Sequence, residues 1–188
     1  MKQRVLVFGL CVILLATPAL AATYKIDGVH SSAVYKVTHF NVSNFYGTFN
    51  EIAGTIEYDS DNIGASSIEI SINAASVDSR AGRRDNHLKS PDFLNVKQFP
   101  KITFKSKSVE SKGEAMEITG ELTLLGVSRE ITITAEITGE GKNPRSGDEM
   151  VGFEARFIVD RTAHDMNFMV GPVGKEIEFL ISLEATKK

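Results

Sequence analysis

The stretch VGFEARFIV, residues 151–159, decides the fold class, because its apolar residues recur with a period of two. These apolar positions are Val151, Phe153, Ala155, Phe157 and Val159. Successive side chains of a β-strand point to opposite faces, so the pattern predicts a strand with one buried face. We expect Phe153, Ala155 and Phe157 to point inward.

The same alternation recurs on both sides of this stretch. Five further rows show it, at residues 68–72, 101–105, 116–124, 131–137 and 177–183. Two less regular segments, residues 32–38 and 47–59, bring the predicted strands to eight. Turn-forming residues separate successive strands by short connections, which favours an antiparallel meander over parallel units with crossover helices.

Residues 75–98 interrupt the pattern, because they lack sustained alternation and are too long for a hairpin loop. We expect residues 83–89 to form one or two helical turns. Ser90-Pro91 predicts a second helix start, since serine suits the N-cap and proline the first helical position. The segment therefore predicts a short helical insert between strands, lying across one end of the sheet.

Eight antiparallel strands with one apolar face each can pack as a sandwich or close as a barrel. A closed barrel of this size is either filled by side chains or able to hold one ligand. Long aliphatic and phenyl side chains without tryptophan favour an apolar cavity. The candidate lumen residues are Ile70, Phe104, Ile118, Leu122, Ile133, Phe153, Ala155, Phe157 and Phe179.

The first 21 residues have the features of a secretory signal peptide. Lys2 and Arg4 form a basic start, an apolar run follows, and Ala19-Leu20-Ala21 gives a small-x-small cleavage pattern. We therefore predict that residues 1–21 are a cleaved signal peptide, that the protein is exported to the periplasm, and that residues 22–188 form one domain.

The composition of this mature chain excludes several classes of protein. Cys11, the only cysteine, lies in the predicted signal, so disulfides, cysteine metal sites and thiol catalysis are excluded from the mature chain. Without Lys2 and Arg4, 19 basic residues stand against 24 acidic ones, a formal net charge of −5. This balance argues against nucleic acid and against a general affinity for anionic membrane surfaces.

The four histidines do not predict a metal site. His30 and His39 lie nine positions apart, an odd separation that places them on opposite faces of a regular strand. His87 and His164 belong to other segments, and no H-x-x-x-H or H-E-x-x-H spacing occurs. We predict neither a metal nor a cofactor.

A set of short motifs, in this order, covers essentially all of residues 22–188 and resembles the YceI family. They are Asp27-Gly-Val-His30-Ser31, His39-Phe40, Gly47-Thr-Phe49, Arg84-Asp85-Asn-His87-Leu88, the run at 99–104, Gly120-Glu-Leu, Asp160-Arg161 and Val173-Gly174. The resemblance implies an exported lipocalin-like barrel that binds polyisoprenoids or similar long amphiphiles, such as isoprenoid quinones or prenyl phosphates, rather than an enzyme.

One departure from the family pattern follows Asp160-Arg161. Family members usually show an aromatic residue followed by glycine there, whereas this chain has His164-Asp165. The resemblance therefore does not predict the local turn.

The charged insert allows two interpretations. In the first, Arg83, Arg84 and Lys89 form a cationic rim for a phosphate, carboxylate or quinone head group. In the second, Arg84 and Asp85 pair with partners that fix the insert to the barrel end, and His87 and Leu88 anchor it. Charged residues of such segments are usually structural or solvated, which favours the second interpretation.

Three functions stay open at this point, and the chain is either a monomer or a homodimer. The first is a periplasmic carrier or scavenger of isoprenoid lipids. The second is an enzyme acting on such a lipid, for which Asp27, His30 and Asp165 are the candidates, all at the ends of the lumen. The third is a stress or interaction protein with a solid barrel.

Overall fold

The structure, a computed structural model, describes residues 21–188. Residues 1–20, with almost all of the predicted signal peptide and Cys11, lie outside the described residues, so the signal stays a prediction. Within residues 21–188, no helix has the length and apolar composition needed to cross a membrane.

The described chain contains one α-helix, α1 (Gly82–Leu88), and eleven β-strands. The strands are β1 (Ala22–Ile26), β2 (Ser32–His39), β3 (Ser43–Phe49), β4 (Ile52–Tyr58), β5 (Ser67–Asn73), β6 (Val77–Asp78), β7 (Lys101–Lys112), β8 (Ala115–Leu124), β9 (Val127–Lys142), β10 (Glu149–Asp160) and β11 (Val173–Lys187). Short 3₁₀ turns occur at Ile63–Ala65, Ala74–Ser76 and Arg161–His164.

Eight strands form a closed antiparallel ring, which confirms the predicted barrel and excludes the sandwich. Their order is β1-β4-β5-β7-β8-β9-β10-β11, and β11 pairs back with β1. The run from β7 to β11 is the expected meander. β11 is long enough to pair with two strands, with β1 through residues 185–187 and with β2 through residues 173–182. β2, β3 and β6 thus extend the sheet beside the ring.

The N-terminal third differs from the prediction although the number of barrel strands is right. Residues 47–59 are not one strand: β3 ends at Phe49, and β4 begins at Ile52. The turn between them contains neither glycine nor proline, the residues that would have predicted it. The ring also includes β1, a five-residue strand that the sequence analysis missed, whereas the predicted strand at residues 32–38 lies beside the ring as β2.

The insert is helical only in its first half. α1 confirms the helical turns predicted at residues 83–89, but the helix start predicted at Ser90-Pro91 is wrong. The amide groups of Phe93 and Asn95 both donate to the Ser90 carbonyl, so this segment is a turn. The turn buries the consecutive side chains of Phe93 and Leu94, which a regular helix would point in different directions.

Candidate ligand-binding site

The barrel encloses an apolar cavity with a volume of about 80 Å³, which we call the lumen cavity. All nine residues predicted for the lumen lie in its wall. The strand register brings them together: Ile70 pairs with Phe104, and Phe104 pairs with Leu122 across β5, β7 and β8. As wall residues these predictions agree with the structure, and as ligand contacts they stay predictions.

A second apolar cavity, the middle cavity, follows towards one end of the barrel and has a volume of about 70 Å³. It shares the side chains of Ile102, Leu124 and Phe179 with the lumen cavity, so these three residues form the partition between the two. The Phe179 ring stacks on Phe157, with ring centres 5.5 Å apart.

A third cavity, the mouth cavity, has a volume of about 300 Å³ and lies between α1 and the strands β2 and β3. It shares Tyr35, Val37, Leu88 and Phe93 with the middle cavity. The three cavities therefore follow one another from the barrel interior to the end that carries α1. We call this end the mouth end.

Arg84 and Asp85 fix α1 to the sheet through Ser79, whose side chain is fully buried. Asp85 accepts hydrogen bonds from the backbone amide of Ser79 at 2.7 Å and from its hydroxyl at 2.5 Å. Arg84 donates from Nε to the Ser79 hydroxyl at 2.8 Å and from Nη2 to its carbonyl at 2.7 Å. The pairing expected under the structural interpretation is thus present.

Of the three residues predicted for a head-group rim, Arg84 lines the mouth cavity. Its guanidinium also lies over the Phe45 ring, 4.2 Å from the ring centre. Arg83 is exposed and Lys89 is half-buried, and neither lines the middle or the mouth cavity. Of the three predicted rim residues, Arg84 is therefore the one placed to contact a head group in the mouth cavity.

His87 anchors the insert, as expected. Its Nε2 lies 2.8 Å from a carboxylate oxygen of Asp92. Its ring packs edge-on against Phe93 and Phe168, with centre distances of 5.1 and 5.4 Å. Leu88 goes beyond the prediction, because it lines both the middle and the mouth cavity.

Arg161 organises the chain on the opposite side of the mouth, although it is 99% buried with 1% of its surface exposed. It donates four hydrogen bonds to backbone carbonyls, those of Met166, Phe168, Val173 and Gly174, at 2.7 to 3.0 Å. Burial lowers the pKa of its guanidinium, and the neighbouring Asp160 opposes this shift. Carbonyl dipoles therefore stabilise a buried cation and hold residues 166–174 in place.

The departure from the family pattern at His164-Asp165 is accommodated locally. Asp165 adopts a left-handed backbone conformation (φ 61°), which glycine usually supplies and which aspartate tolerates better than most residues. His164 is buried, and its Nδ1 lies 2.9 Å from the Val127 carbonyl.

Exposed apolar side chains surround the mouth cavity, and we call them the apolar collar. They are Phe40, Val42, Phe168, Met169 and Val170. Phe40 and Asn41 both have positive φ in the three-residue loop that joins His39 to Ser43, where the Val42 amide donates a hydrogen bond to the His39 carbonyl. A phenylalanine rarely adopts this conformation, so the loop keeps an apolar ring exposed against its local preference.

Away from the mouth, a polar cluster lies where the segment between β1 and β2 passes β11, and we call this part of the barrel the far end. His30 Nδ1 lies 2.9 Å from Asp27 Oδ2 and 3.6 Å from Glu184 Oε1. The potential ligand atoms of these three residues lie within 4.8 Å of one another, close enough to share a cation. Hydrogen bonding alone explains their arrangement, and the absence of a metal stays a prediction. None of the enzyme candidates Asp27, His30 and Asp165 lines the lumen cavity.

Four residues of the site were missed by the sequence analysis. Tyr35 was assigned only to a strand, His87 and Leu88 only to anchors although both line the mouth cavity, and Glu184 to no site. Tyr35 occupies an inward position of the alternation in β2, which was the available signal. Glu184 carries no such signal, because it reaches His30 through the pairing of distant strands.

Comparison with known proteins agrees with this geometry. The family profile described as "YceI-like domain" matches residues 24–185. The chain belongs to the YceI family. Among its YceI relatives, the proteins named YceI from Salmonella newport (strain SL254) and Salmonella paratyphi B are each 39% identical over 191 residues, with both chains covered completely.

Solved structures with the same fold include a YceI protein, the protein BcnA and a domain with a described ligand class. The Campylobacter jejuni YceI protein has a TM-score of 0.72 at 31% identity and covers 80% of this chain and 90% of its own. Burkholderia cenocepacia BcnA has a TM-score of 0.78 at 19% identity, covering 86% and 99%. A polyisoprenoid binding domain from Saccharophagus degradans, implicated in plant cell wall breakdown, has a TM-score of 0.68 at 13% identity, covering 89% and 99%.

Proposed function

We propose that this protein binds polyisoprenoid or similar long-chain amphiphilic lipids, with the chain in the lumen and the head group towards the mouth. The observation that carries the proposal is the row of three adjoining cavities, which are apolar inside the barrel and partly polar at the mouth. Membership of the YceI family and the shared fold with a polyisoprenoid binding domain support it.

Apolar burial alone supplies enough free energy for such binding. At about 0.8 kcal/mol per buried methylene-sized group, one five-carbon isoprene unit contributes roughly 3 to 4 kcal/mol before ordering costs. Micromolar affinity corresponds to about 8 kcal/mol, which two or three buried units reach. Tails of different chemistry are therefore discriminated poorly, and selectivity depends on tunnel length and on the head group.

Phe179 determines how far a chain can extend. The lumen and middle cavities are small, and engineered apolar cavities of about 150 Å³ hold one benzene ring. A chain of several isoprene units must therefore displace the partition of Ile102, Leu124 and Phe179. The stacked Phe157 and Phe179 rings would move together to join the two cavities.

We propose binding rather than catalysis for this site. The catalytic candidates lie outside the lumen cavity, whose wall is dominated by aliphatic and phenyl groups. A hydrocarbon wall offers little help to a reaction that develops charge, since catalysis of that kind relies on positioned dipoles.

The proposed setting is the periplasm, which rests on the predicted signal peptide. N-terminal sequencing of the exported protein tests it, and the expected first residue is Ala22. Recovery of the uncleaved chain in the membrane fraction would contradict this part of the proposal without affecting the proposed ligand.

Native mass spectrometry of the freshly purified protein tests the binding function. We expect a mass excess that disappears on denaturation and is identified in the extract as a long-chain lipid. A bare chain that also fails to take up added isoprenoid lipid would support a solid barrel and overturn the proposal. Chemical conversion of the added lipid would favour the enzyme instead.

A further inference from the structure

Tyr35 presents an anomaly at the junction of the middle and mouth cavities. Its side chain is 7% exposed, and its hydroxyl is the one buried side-chain polar atom without a hydrogen-bond partner among residues 21–188. A buried tyrosine hydroxyl usually finds a partner, because leaving it unpaired is unfavourable. Tyr58, at the far end, follows this rule and donates to Glu140 at 2.8 Å.

The ring of Tyr35 is fixed in this position by its neighbours. It lies opposite Gly47 of β3 and is flanked by Phe45 and Phe49, with ring-centre distances of 6.4 and 5.6 Å. A Cβ atom on Gly47 would lie 2.3 Å from the Tyr35 hydroxyl oxygen, so only glycine leaves space for it. The packing thus holds the hydroxyl in place without giving it a partner.

The Tyr35 side chain lies where a chain bound in the lumen would end. Tyr35 lines the middle cavity and the mouth cavity, but not the lumen cavity. A lipid tail filling the first two cavities would bring its first polar atom to this junction. Burial raises the pKa of Tyr35 to about 12, with Asp85 and Asp78 adding to the shift and Arg84 opposing it, so the group is a neutral donor at physiological pH.

We propose that the Tyr35 hydroxyl donates a hydrogen bond to an uncharged oxygen, such as a quinone or other carbonyl oxygen, at the head of the bound lipid. The inference rests on the proposed binding of a lipid in the lumen. The apolar wall of the middle cavity disfavours a full charge at this depth. A charged head group would lie farther out, beside Arg84 in the mouth cavity.

Tyr35→Phe tests the proposal, because it removes the hydroxyl and keeps the ring. Two probes are compared, an isoprenoid quinone and an isoprenoid hydrocarbon of the same chain length, each by displacement of a fluorescent apolar dye. We expect the variant to bind the quinone about tenfold more weakly and the hydrocarbon as tightly as the wild type, since one hydrogen bond contributes about that factor. Tyr46→Phe is the matched control, since Tyr46 lies on the outer face of β3 and is exposed.

The melting temperature separates binding from folding. We expect Tyr35→Phe to melt no lower than the wild type, because the removed hydroxyl has no partner to lose. Equal affinity of the variant and the wild type for the quinone would overturn the role of Tyr35 while leaving lipid binding intact. Failure of the wild type to bind either probe would instead overturn the proposed function itself, and the Tyr35 inference with it.

Discussion

The two ends of the barrel are built from the same strands but satisfy their polar groups differently. At the far end, side chains pair with side chains: Asp27, His30 and Glu184 cluster, and Tyr58 donates to Glu140. At the mouth end, two arginines also bind backbone carbonyls. Arg161 donates to four carbonyls and Arg84 to the Ser79 carbonyl.

This difference explains why only one end is suited to admit a ligand. Away from the mouth, the paired charged side chains present a polar surface. The buried Arg161 holds residues 166–174 by their carbonyls and leaves the side chains of Phe168, Met169 and Val170 exposed in the apolar collar. The order of this part of the mouth therefore depends on one buried cation, and variants at the two ends should behave differently.

The largest effect is expected for Arg161→Met. The change leaves four backbone carbonyls without their donor, and breaking a buried charged network of this kind costs about 3 to 5 kcal/mol. The free energy of unfolding from urea denaturation measures the loss. Arg156→Met, in β10 just before the turn that contains Arg161, is the control, because Arg156 is exposed and lies 3.8 Å from Glu178 as its ion-pair partner. Similar losses in both variants would show that the carbonyl bonds contribute little.

Ala155→Phe should affect binding more than stability. The residue lines the lumen cavity between Phe153 and Phe157, and a phenyl group there occupies the space of the ligand. The cavity of about 80 Å³ is by itself too small for a phenyl group, so the Phe157 and Phe179 rings must move aside as proposed for a ligand. With that movement, we expect at least a tenfold loss of isoprenoid affinity and a free energy of unfolding within about 1 kcal/mol of the wild type. Ile158→Phe, on the outer face of β10, should change neither. A loss of stability of about 1 to 3 kcal/mol in Ala155→Phe would indicate a filled barrel.

Arg84→Gln tests whether the mouth cavity selects between charged and uncharged head groups. We expect weaker binding of a prenyl phosphate relative to an uncharged isoprenoid of equal length, by about two- to tenfold, because a charge-assisted hydrogen bond is lost. Arg83→Gln should leave the ratio unchanged, since Arg83 does not line the mouth cavity. An equal loss of affinity for both ligands would mean that Arg84 acts only by fixing α1.

The smallest effect is expected from His30 at the far end. Hydrogen bonding to Asp27, followed by the charges of Asp27 and Glu184, raises the pKa of His30 above 6.5. Hydrogen bonds from His30 and the Val29 amide lower the pKa of Asp27 below 3.8. The contribution of His30 to folding stability is complete below pH 6.5 and is lost as the pH rises through its raised pKa. The contribution of Asp27 to folding stability is complete above pH 3.8 and is lost as the pH falls through its lowered pKa.

The pair therefore contributes most between about pH 4 and pH 6.5. His30→Gln should lower the melting temperature slightly at pH 5.5 and less at pH 8.5, while lipid binding stays unchanged. His39→Gln, at the mouth end of β2, is the counterpart. A larger loss at pH 8.5 than at pH 5.5 would contradict the assigned interaction.

The sequence predicted the barrel and the lumen wall because both depend on local alternation. Residues 151–159 fix which side chains of β10 point inward, and the same rule located all nine wall residues. Where the chain leaves this rule, the prediction weakened. β1 alternates clearly only over Tyr24, Lys25 and Ile26, and the turn between Phe49 and Ile52 has no glycine or proline.

The mouth was harder to predict because its geometry depends on contacts between distant segments. Ser90-Pro91 has the residues of a helix start, yet burial of Phe93 and Leu94 overrides that local preference. Arg84, Arg83 and Lys89 look alike in sequence, and only the position of α1 against β3 separates them. The missing partner of Tyr35 is likewise a property of the packed structure and not of its strand.

The closure of β1 against β11 makes the lumen a late product of folding. Tyr24 pairs with Lys187, 163 positions away in sequence. Bringing such distant segments together costs loop-closure entropy, and pairings of this range slow the folding of β-proteins. Until the pairing forms, β1 and β11 have unpaired edges that can template aggregation. The chain therefore gains a closed tunnel only when its last strand is in place, so an incompletely folded molecule has no lumen to fill.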